Sequence, residues 1–140
     1  MKKSLSLMIS LILVLSLCLS GCSSKTEENF TPVSISNEDA VKLGEGENAF
    51  YLSVIFEDGK DSLYEIHTDE ETVGDALISL GLIEGSDGPY GLYIKSVAGV
   101  EADYDKSKTY WAFYINGEYA AQGVDSAKIE TGAEYALKVE

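Results

Sequence analysis

The sequence contains no arginine, a single histidine, two cysteines and two prolines in 140 residues. Its ten lysines are outnumbered by 24 acidic residues, which gives a net charge of −14. A chain this acidic repels nucleic-acid phosphates and is not attracted to anionic lipid headgroups. It also has no nucleophile elbow, phosphate-binding loop or His-Glu-x-x-His motif. We therefore expect a protein that is not an enzyme, has no cofactor or metal site and does not bind nucleic acid.

The one long apolar run lies at the N-terminus. Lys2 and Lys3 precede residues 5–19, which are all Leu, Ile, Val, Met, Ser or Cys. About 15 residues are too few for a membrane-spanning helix, which needs roughly 20, so the segment is typical of a signal peptide. Its end, Leu-Ser-Gly-Cys at 19–22, resembles the lipobox of bacterial lipoproteins, in which the cysteine is lipidated. An uncleaved anchor helix or an ordinary secretory signal are the alternatives.

The lipobox predicts a signal peptide at 1–21 and lipidation of Cys22. A diacylated cysteine carries two chains, which anchor stably where one chain binds only reversibly. Residues 22–48 are polar and lack periodicity, so we interpret them as a flexible tether after the lipidated cysteine. Part of the tether, residues 30–35, could instead add an edge strand. The expected location is the extracytoplasmic face of the cell membrane, and the type of cell envelope stays open.

Residues 49–140 carry the patterns of a folded domain. Phe50, Leu52, Val54 and Phe56 alternate as in a half-buried strand, and a turn at 57–61 leads into a second strand at 62–67. A helix follows. Its predicted cap is Thr72 with Asp75, and its predicted stop is Gly81. Its apolar residues have helical spacing; they are Val73, Ala76, Leu77 and Leu80.

The second half of this domain reads as strands and turns. We expect a polar loop at 84–89, strands at 91–97, 100–102 and 110–115, a charged loop at 103–108, a return strand at 118–122 and a last strand at 135–139. Asn116-Gly117 is the strongest hairpin signal, because both central residues of that turn need positive φ. The predicted fold class is α+β, with one helix packed on a mixed or antiparallel sheet.

The tyrosines are the most informative side chains. Register through the hairpin puts Trp111, Phe113, Ile115 and Ala120 on one face, which we interpret as core. The other face carries Tyr110, Tyr114 and Tyr119, with Ala112 and Ala121 between them. Aromatic rings with hydroxyl tips beside small residues suit a flat organic ligand or a protein partner. They could equally cover the sheet without binding anything.

Several segments together resemble the transcobalamin-like C-terminal domain family, over about residues 50–140. The segments are 72–77, 90–100, 110–117, 123–125 and 131–132. The resemblance implies a small β-grasp-like domain and a corrinoid-like ligand. It also carries over Tyr90, Gly91 and Tyr93 as ligand contacts, because the aromatic-Gly pair lies near the ligand in the animal carriers of the family. The helical domain that encloses the other side of the ligand in those carriers has no counterpart in this sequence.

Two hypotheses for function therefore stay open. The first is a membrane-anchored binding module for a small hydrophobic or corrinoid ligand, which could deliver it to a membrane transporter. Its predicted contacts are Tyr90, Gly91, Tyr93, Tyr110, Tyr114 and Tyr119. The second is a surface domain for protein–protein interaction or adhesion without a small-molecule ligand. The oligomeric state is not determined by the sequence.

Overall fold

The computed structural model describes residues 39–140, so the predicted signal peptide, Cys22 and most of the predicted tether lie outside the described residues. The described part contains nine strands and two short helices. In chain order these are β1 (Val41–Gly44), β2 (Asn48–Ile55), β3 (Asp61–Thr68), α1 (Val73–Ser79), β4 (Ile83–Gly88), β5 (Gly91–Val97), β6 (Val100–Glu101), α2 (Tyr104–Ser107), β7 (Trp111–Ile115), β8 (Glu118–Tyr119) and β9 (Glu134–Val139).

The fold is mostly β, with strands in two sheets, and the prediction of an α+β domain with one helix on a single sheet is wrong. A six-stranded sheet has the order β1-β3-β2-β9-β7-β8, and a three-stranded sheet has the order β4-β5-β6. The error arose mainly at β4, which was predicted as a loop. Its sequence is polar and glycine-rich because four of its six residues are exposed, yet the strand pairs with β5 along its whole length.

The six-stranded sheet is mixed. Strands β1 and β3 are parallel, as are β2 and β9, whereas the β2–β3, β7–β9 and β7–β8 pairs are antiparallel. Strand β1 lies at one edge, within the segment 22–48 that was interpreted as a tether, so the sheet begins before residue 49. The short strand β8 forms the opposite edge.

One main core fills the space between one face of the large sheet, helix α1 and the small sheet. The alternating residues of β2 supply its centre, since Phe50, Leu52 and Val54 are fully buried as predicted. The remaining large contributors come from both sheets and from α1; they are Ile66, Leu77, Ile94, Val97, Trp111, Phe113, Tyr135 and Leu137. A second, smaller cluster lies on the other face of the large sheet; it consists of Ala112, Tyr114 and Ala136, with Ile55 and Tyr110 packed against them.

Helix α1 begins and ends as the sequence predicts. The Thr72 side chain accepts a hydrogen bond from the Asp75 backbone N–H at 3.1 Å and donates one to its carboxylate at 2.8 Å. Gly81 follows the helix with φ +65°. The backbone N–H of Leu82 reaches back to the carbonyl of Leu77 at 2.9 Å, which closes a Schellman-type end.

Neither helix described between residues 39 and 140 is long and apolar enough to cross a membrane. They contain seven and four residues. Both serve to cover or connect the sheets.

Candidate functional site

The β7–β8 hairpin forms one wall of the candidate site, and its register is as predicted. Tyr114 pairs with Tyr119 and Ile115 with Glu118 across the turn. Asn116 and Gly117 both adopt positive φ, +50° and +82°, as a two-residue turn of this kind requires. Strand β8 ends at Tyr119, so it covers only the second half of β7.

A groove opens beside the uncovered first half of β7. It encloses about 270 Å³, near the lower end of the range for ligand pockets. Four tyrosines from separate parts of the chain line it, and we call it the tyrosine groove; they are Tyr90, Tyr93, Tyr110 and Tyr119. The other lining residues are mostly apolar; they are Leu92, Ile94, Trp111, Phe113, Ala120, Ala121, Gln122, Gly123 and Val124.

The tyrosines of the groove differ in exposure. Tyr90 is 96% exposed, Tyr119 60% and Tyr93 38%, whereas Tyr110 is half-buried. The Tyr93 hydroxyl accepts a hydrogen bond from the Tyr104 backbone N–H at 3.4 Å, which links β5 to α2. Exposed apolar side chains that lie together, unlike single exposed ones, mark contact sites for other molecules. Tyr90 is therefore almost entirely open to another molecule, whereas Tyr93, Tyr110 and Tyr119 also contact other parts of the protein.

Two of the predicted contacts have other positions. Gly91 does not line the groove; it directly follows the lining residue Tyr90 and has a positive φ of +108°. Tyr114 is 9% exposed and lies in the small cluster on the outer face of the large sheet. The structure thus brings together Tyr90, Tyr93, Tyr110 and Tyr119, and does not bring Tyr114 into the groove.

Tyr114 instead supports the groove from behind through Glu140. The Tyr114 hydroxyl donates to the Glu140 carboxylate at 2.6 Å, and the Tyr110 hydroxyl donates to the other carboxylate oxygen at 3.4 Å. Lys138 pairs with the same carboxylate at 3.2 Å. The ring of Tyr114 meets that of Tyr119 edge-on, with centroids 5.4 Å apart. Glu140 therefore fixes Tyr110, which lines the groove, and Tyr114, whose ring contacts the groove residue Tyr119.

The pKa values of this cluster reflect the shared hydrogen bonds. A hydrogen bond with the Tyr119 hydroxyl, together with burial and the Glu140 charge, raises the pKa of Tyr110 to about 12. Burial and the hydrogen bond to Glu140 also raise the pKa of Tyr114. Burial alone would raise the pKa of Glu140, but the hydrogen bonds from Tyr114 and Lys138 outweigh it and lower this pKa. Tyr110 and Tyr114, whose pKa values are raised, are therefore neutral at physiological pH.

The groove-lining residues Gly123 and Val124 belong to a loop that also carries Asp125. Its carboxylate occupies the space in which two glycines would carry a side chain. A Cβ atom on Gly91 would lie 2.7 Å from one carboxylate oxygen and 2.8 Å from the other, and a Cβ atom on Gly123 would lie 2.5 Å from the first. The loop in turn is fixed to α1, because Gly74 donates its backbone N–H to the carbonyl of Val124 at 2.8 Å.

Two further depressions lie outside the tyrosine groove. One, of about 580 Å³, lies at the β2–β3 turn, where Phe56 and Val100 are surrounded by charged residues such as Asp58 and Lys60, which pair with each other. The other, of about 330 Å³, is lined by acidic residues and Lys128. Both are larger than the tyrosine groove, but neither has a comparable set of converging aromatic rings. Within residues 39–140 no group of three or more potential ligand side chains is arranged to hold a metal ion.

Sequence reasoning missed Gln122, Gly123, Asp125 and Glu140 as groove or supporting residues. Gly123 and Asp125 lie in one of the segments that carry the family resemblance, but nothing in that segment indicates which strand it meets. The single histidine, His67, lies on β3 and bonds Glu65 at 2.8 Å, and it does not line the groove. Hydrogen bonds from His67 and Lys42 lower the pKa of Glu65.

Solved structures resemble this chain. A candidate metal-binding protein from Ruminococcus gnavus ATCC 29149 superposes with a TM-score of 0.63 and 29% identity, over 67% of this chain and 97% of that chain. Haptocorrin in complex with Cbi superposes with a TM-score of 0.54 and 18% identity, over 70% of this chain. The match spans only 26% of the haptocorrin chain, so this likeness shows a shared fold over one part of that protein. No curated protein matches the sequence.

A known protein family matches the half of the chain that contains the groove. Residues 70–140 match the domain of unknown function DUF4430. This range includes α1, the small sheet, the β7–β8 hairpin and the Asp125 loop. The chain therefore belongs to the DUF4430 family.

Proposed function

We propose that this protein is a lipid-anchored binding module on the extracytoplasmic side of the membrane, which captures one edge of a flat, corrinoid-type ligand in the tyrosine groove. The observation that carries the proposal is the convergence of Tyr90, Tyr93, Tyr110 and Tyr119 on one groove. Their rings offer flat apolar surface, and their hydroxyls can fix orientation.

The size of the groove matches capture of an edge rather than enclosure. About 270 Å³ accommodates part of a macrocycle, and most of such a ligand would stay outside. The fold shared with haptocorrin, whose structure contains Cbi, supports a corrinoid-type ligand. The resemblance to the transcobalamin-like C-terminal domain family supports the same ligand class. A loosely held ligand also suits delivery to a membrane transporter, which we propose as the partner.

Titration of the purified full-length protein in detergent with cobinamide and cobalamin tests the binding proposal. Trp111 is the chain's one tryptophan and lines the groove, so a bound corrinoid should quench its fluorescence. Tyr90→Ala should weaken binding about tenfold, because it removes an aromatic contact worth about 1.4 kcal/mol. Tyr90 is almost fully exposed, so the fold should not change.

Tyr104→Ala provides the matched control. Tyr104 is 54% exposed but lies on α2, outside the groove, so its removal should leave the affinity unchanged. Absence of quenching at high ligand concentration, with the protein folded, would contradict the corrinoid proposal. Equal losses in Tyr90→Ala and Tyr104→Ala would contradict the assignment of the site to the tyrosine groove.

The anchor is tested separately. We expect Cys22→Ser to abolish incorporation of labelled palmitate in a bacterial host and to release the protein from the membrane fraction. Stable anchoring requires two acyl chains, and this substitution removes the sulfur that would carry the diacyl group. Ser23→Ala, next to it, should remain lipidated. Membrane retention of Cys22→Ser would contradict the lipoprotein proposal.

A protein partner is the second candidate function. It is favoured by the edge of the large sheet, where β8 pairs only with Tyr114 and Ile115 of β7. Tyr110 and Glu140 exchange two backbone hydrogen bonds beside the β7–β9 pair. Because the backbone groups of successive residues point to opposite sides of a strand, those of the next residue, Trp111, point away from β9 and towards the groove. Concentration-dependent self-association that Tyr119→Ala abolishes, without any corrinoid binding, would favour this function.

A further inference from the structure

The carboxylate of Asp125 lies beside Gly123, which lines the tyrosine groove, and it has no partner among the described residues. It is exposed, and no hydrogen bond or ion pair joins it to another side chain in residues 39–140. Its position follows from the space left by Gly91 and Gly123, the latter of which lines the groove. A carboxylate accepts hydrogen bonds and donates none at neutral pH.

Backbone contacts with α1 and within the loop fix the backbone of the loop that carries Asp125. Gly74 of α1 approaches it so closely that a Cβ atom there would lie 2.9 Å from the Asp125 backbone N and Cα. Three backbone hydrogen bonds fix the loop to α1 and within itself: Gly74 N–H to the carbonyl of Val124, Val73 N–H to that of Ala127, and Ala127 N–H to that of Gly123. The backbone of Asp125 is therefore fixed, so only its side-chain torsions lose freedom when a donor binds the carboxylate.

The rest of the groove offers no charged side chain. Its lining consists of tyrosines, apolar residues and the amide of Gln122. The Asp125 carboxylate lies directly beside this lining, where Gly123 approaches Tyr90, and it favours donors over acceptors. A ligand edge that carries ester or carboxylate oxygens would place acceptor against acceptor there.

From this geometry we propose that Asp125 is a specificity-determining residue, which selects ligands whose edge presents N–H donors to the groove. The inference rests on the proposed function and narrows it. In a corrinoid the donors are the primary amides of the peripheral side chains. Gly91 and Gly123 contribute by leaving room for the carboxylate, so their role is to position Asp125.

The test compares two corrinoids that differ in these donors. Cobinamide carries primary amides, whereas a corrinoid with methyl esters on its peripheral side chains has the same ring without N–H groups. Titration of the full-length protein in detergent should show cobinamide binding at least about tenfold more tightly, the factor expected for one hydrogen bond to a charged group. Asp125→Ala should remove this preference while the ester form binds as before.

Gly123→Ala gives a second, independent variant. It retains the carboxylate but forces it away from its position, since the new Cβ would lie 2.5 Å from the carboxylate oxygen. It should lower the preference as Asp125→Ala does. Asp61→Asn, which removes one charge from an exposed position at the start of β3, should keep the preference and so controls for net charge. Thermal melting verifies that each variant is folded.

The outcomes separate this inference from the proposed function. Equal binding of both corrinoids by the unsubstituted protein, or a preference that persists in Asp125→Ala, overturns the role of Asp125 and leaves the binding module intact. Failure of both corrinoids to bind overturns the binding module and this inference together.

Discussion

Replacing Glu140 by glutamine should loosen the support behind the tyrosine groove in a pH-dependent way. Glutamine has nearly the same shape and can still accept from the Tyr114 hydroxyl, but it carries no charge. The 2.6 Å bond from Tyr114 and the longer one from Tyr110 then change from charged to neutral hydrogen bonds. The backbone pairing of Glu140 with Tyr110 does not depend on the side chain.

The expected loss of stability is about 1 kcal/mol. Hydrogen bonds to charged groups contribute about 1.5–3 kcal/mol and neutral ones about 0.5–1.5 kcal/mol. The Glu140 side chain is 28% exposed, so solvent screens it only in part. For a domain of this size, a loss of about 1 kcal/mol lowers Tm by roughly 4–8 °C. Urea unfolding at neutral pH should show the same difference in free energy.

The direction of the pH dependence follows from the lowered pKa of Glu140. A carboxyl whose pKa is lowered on folding contributes stability above its ordinary value of 4.5, and this contribution disappears as the pH falls through the lowered pKa. The difference between the two proteins should therefore be complete at neutral pH and vanish in stronger acid. A difference that persists unchanged in acid would refute the charge as its cause.

Tyrosine ionisation gives a second measurement of the same change. A tyrosine with a raised pKa stabilises the fold in its neutral form, and this stability is lost as the pH rises from the ordinary 10 through the raised value. Phenolate absorbance should show that Tyr110, with a pKa of about 12, ionises late in the unsubstituted protein and slightly earlier in Glu140→Gln, because Glu140 raises this pKa less than the hydrogen bond with Tyr119 does. Glu134→Gln, at an exposed position at the start of β9, should leave both measurements unchanged.

Two further predictions concern the backbone around the groove. Gly91→Ala should destabilise the protein more than Gly132→Ala. Both glycines have positive φ, which costs alanine about 1–3 kcal/mol at either position. Only the new Cβ atom at Gly91 would also clash with Asp125, since no atom lies within 4 Å of a Cβ atom at Gly132. Equal losses in urea unfolding would contradict a close Asp125 contact. Thr72→Ala should cost about 1 kcal/mol through loss of the α1 cap, whereas Ser126→Ala should cost little; a Thr72→Ala protein with unchanged unfolding would show that the cap contributes nothing.

Local signals predicted those elements whose structure depends on neighbouring residues. The alternation in β2, the Asn116-Gly117 turn with its register, and the cap and stop of α1 are confirmed. Each is set within a few residues by side-chain periodicity or by backbone conformations that few residue types adopt. The same reasoning located Trp111 and Phe113 in the core.

The second sheet and the composition of the groove depend on long-range pairing. Strand β4 has no apolar alternation, because its stability comes from backbone pairing with β5 and its side chains face solvent. Register in one hairpin fixes which residues are opposite each other, but not which element packs on that face. Sequence reasoning therefore identified Tyr110 and Tyr119 as neighbours and took Tyr90 and Tyr93 from resemblance, without predicting that they share one groove with Gly123 beside Asp125.

The strand order also determines how a tethered molecule would stand on its membrane. The described chain enters the large sheet at β1, whereas the groove lies beside β7 and β8 at the other edge. Five strand spacings of about 4.8 Å place the two edges roughly 24 Å apart. In a protein held at Cys22, the tether would attach to the β1 edge of the domain, and the edge with the tyrosine groove would face away from the attachment point. Delivery to a transporter in the same membrane would then require the domain to reorient so that the groove faces the membrane. The length of the tether would limit this reorientation and therefore the rate of ligand transfer.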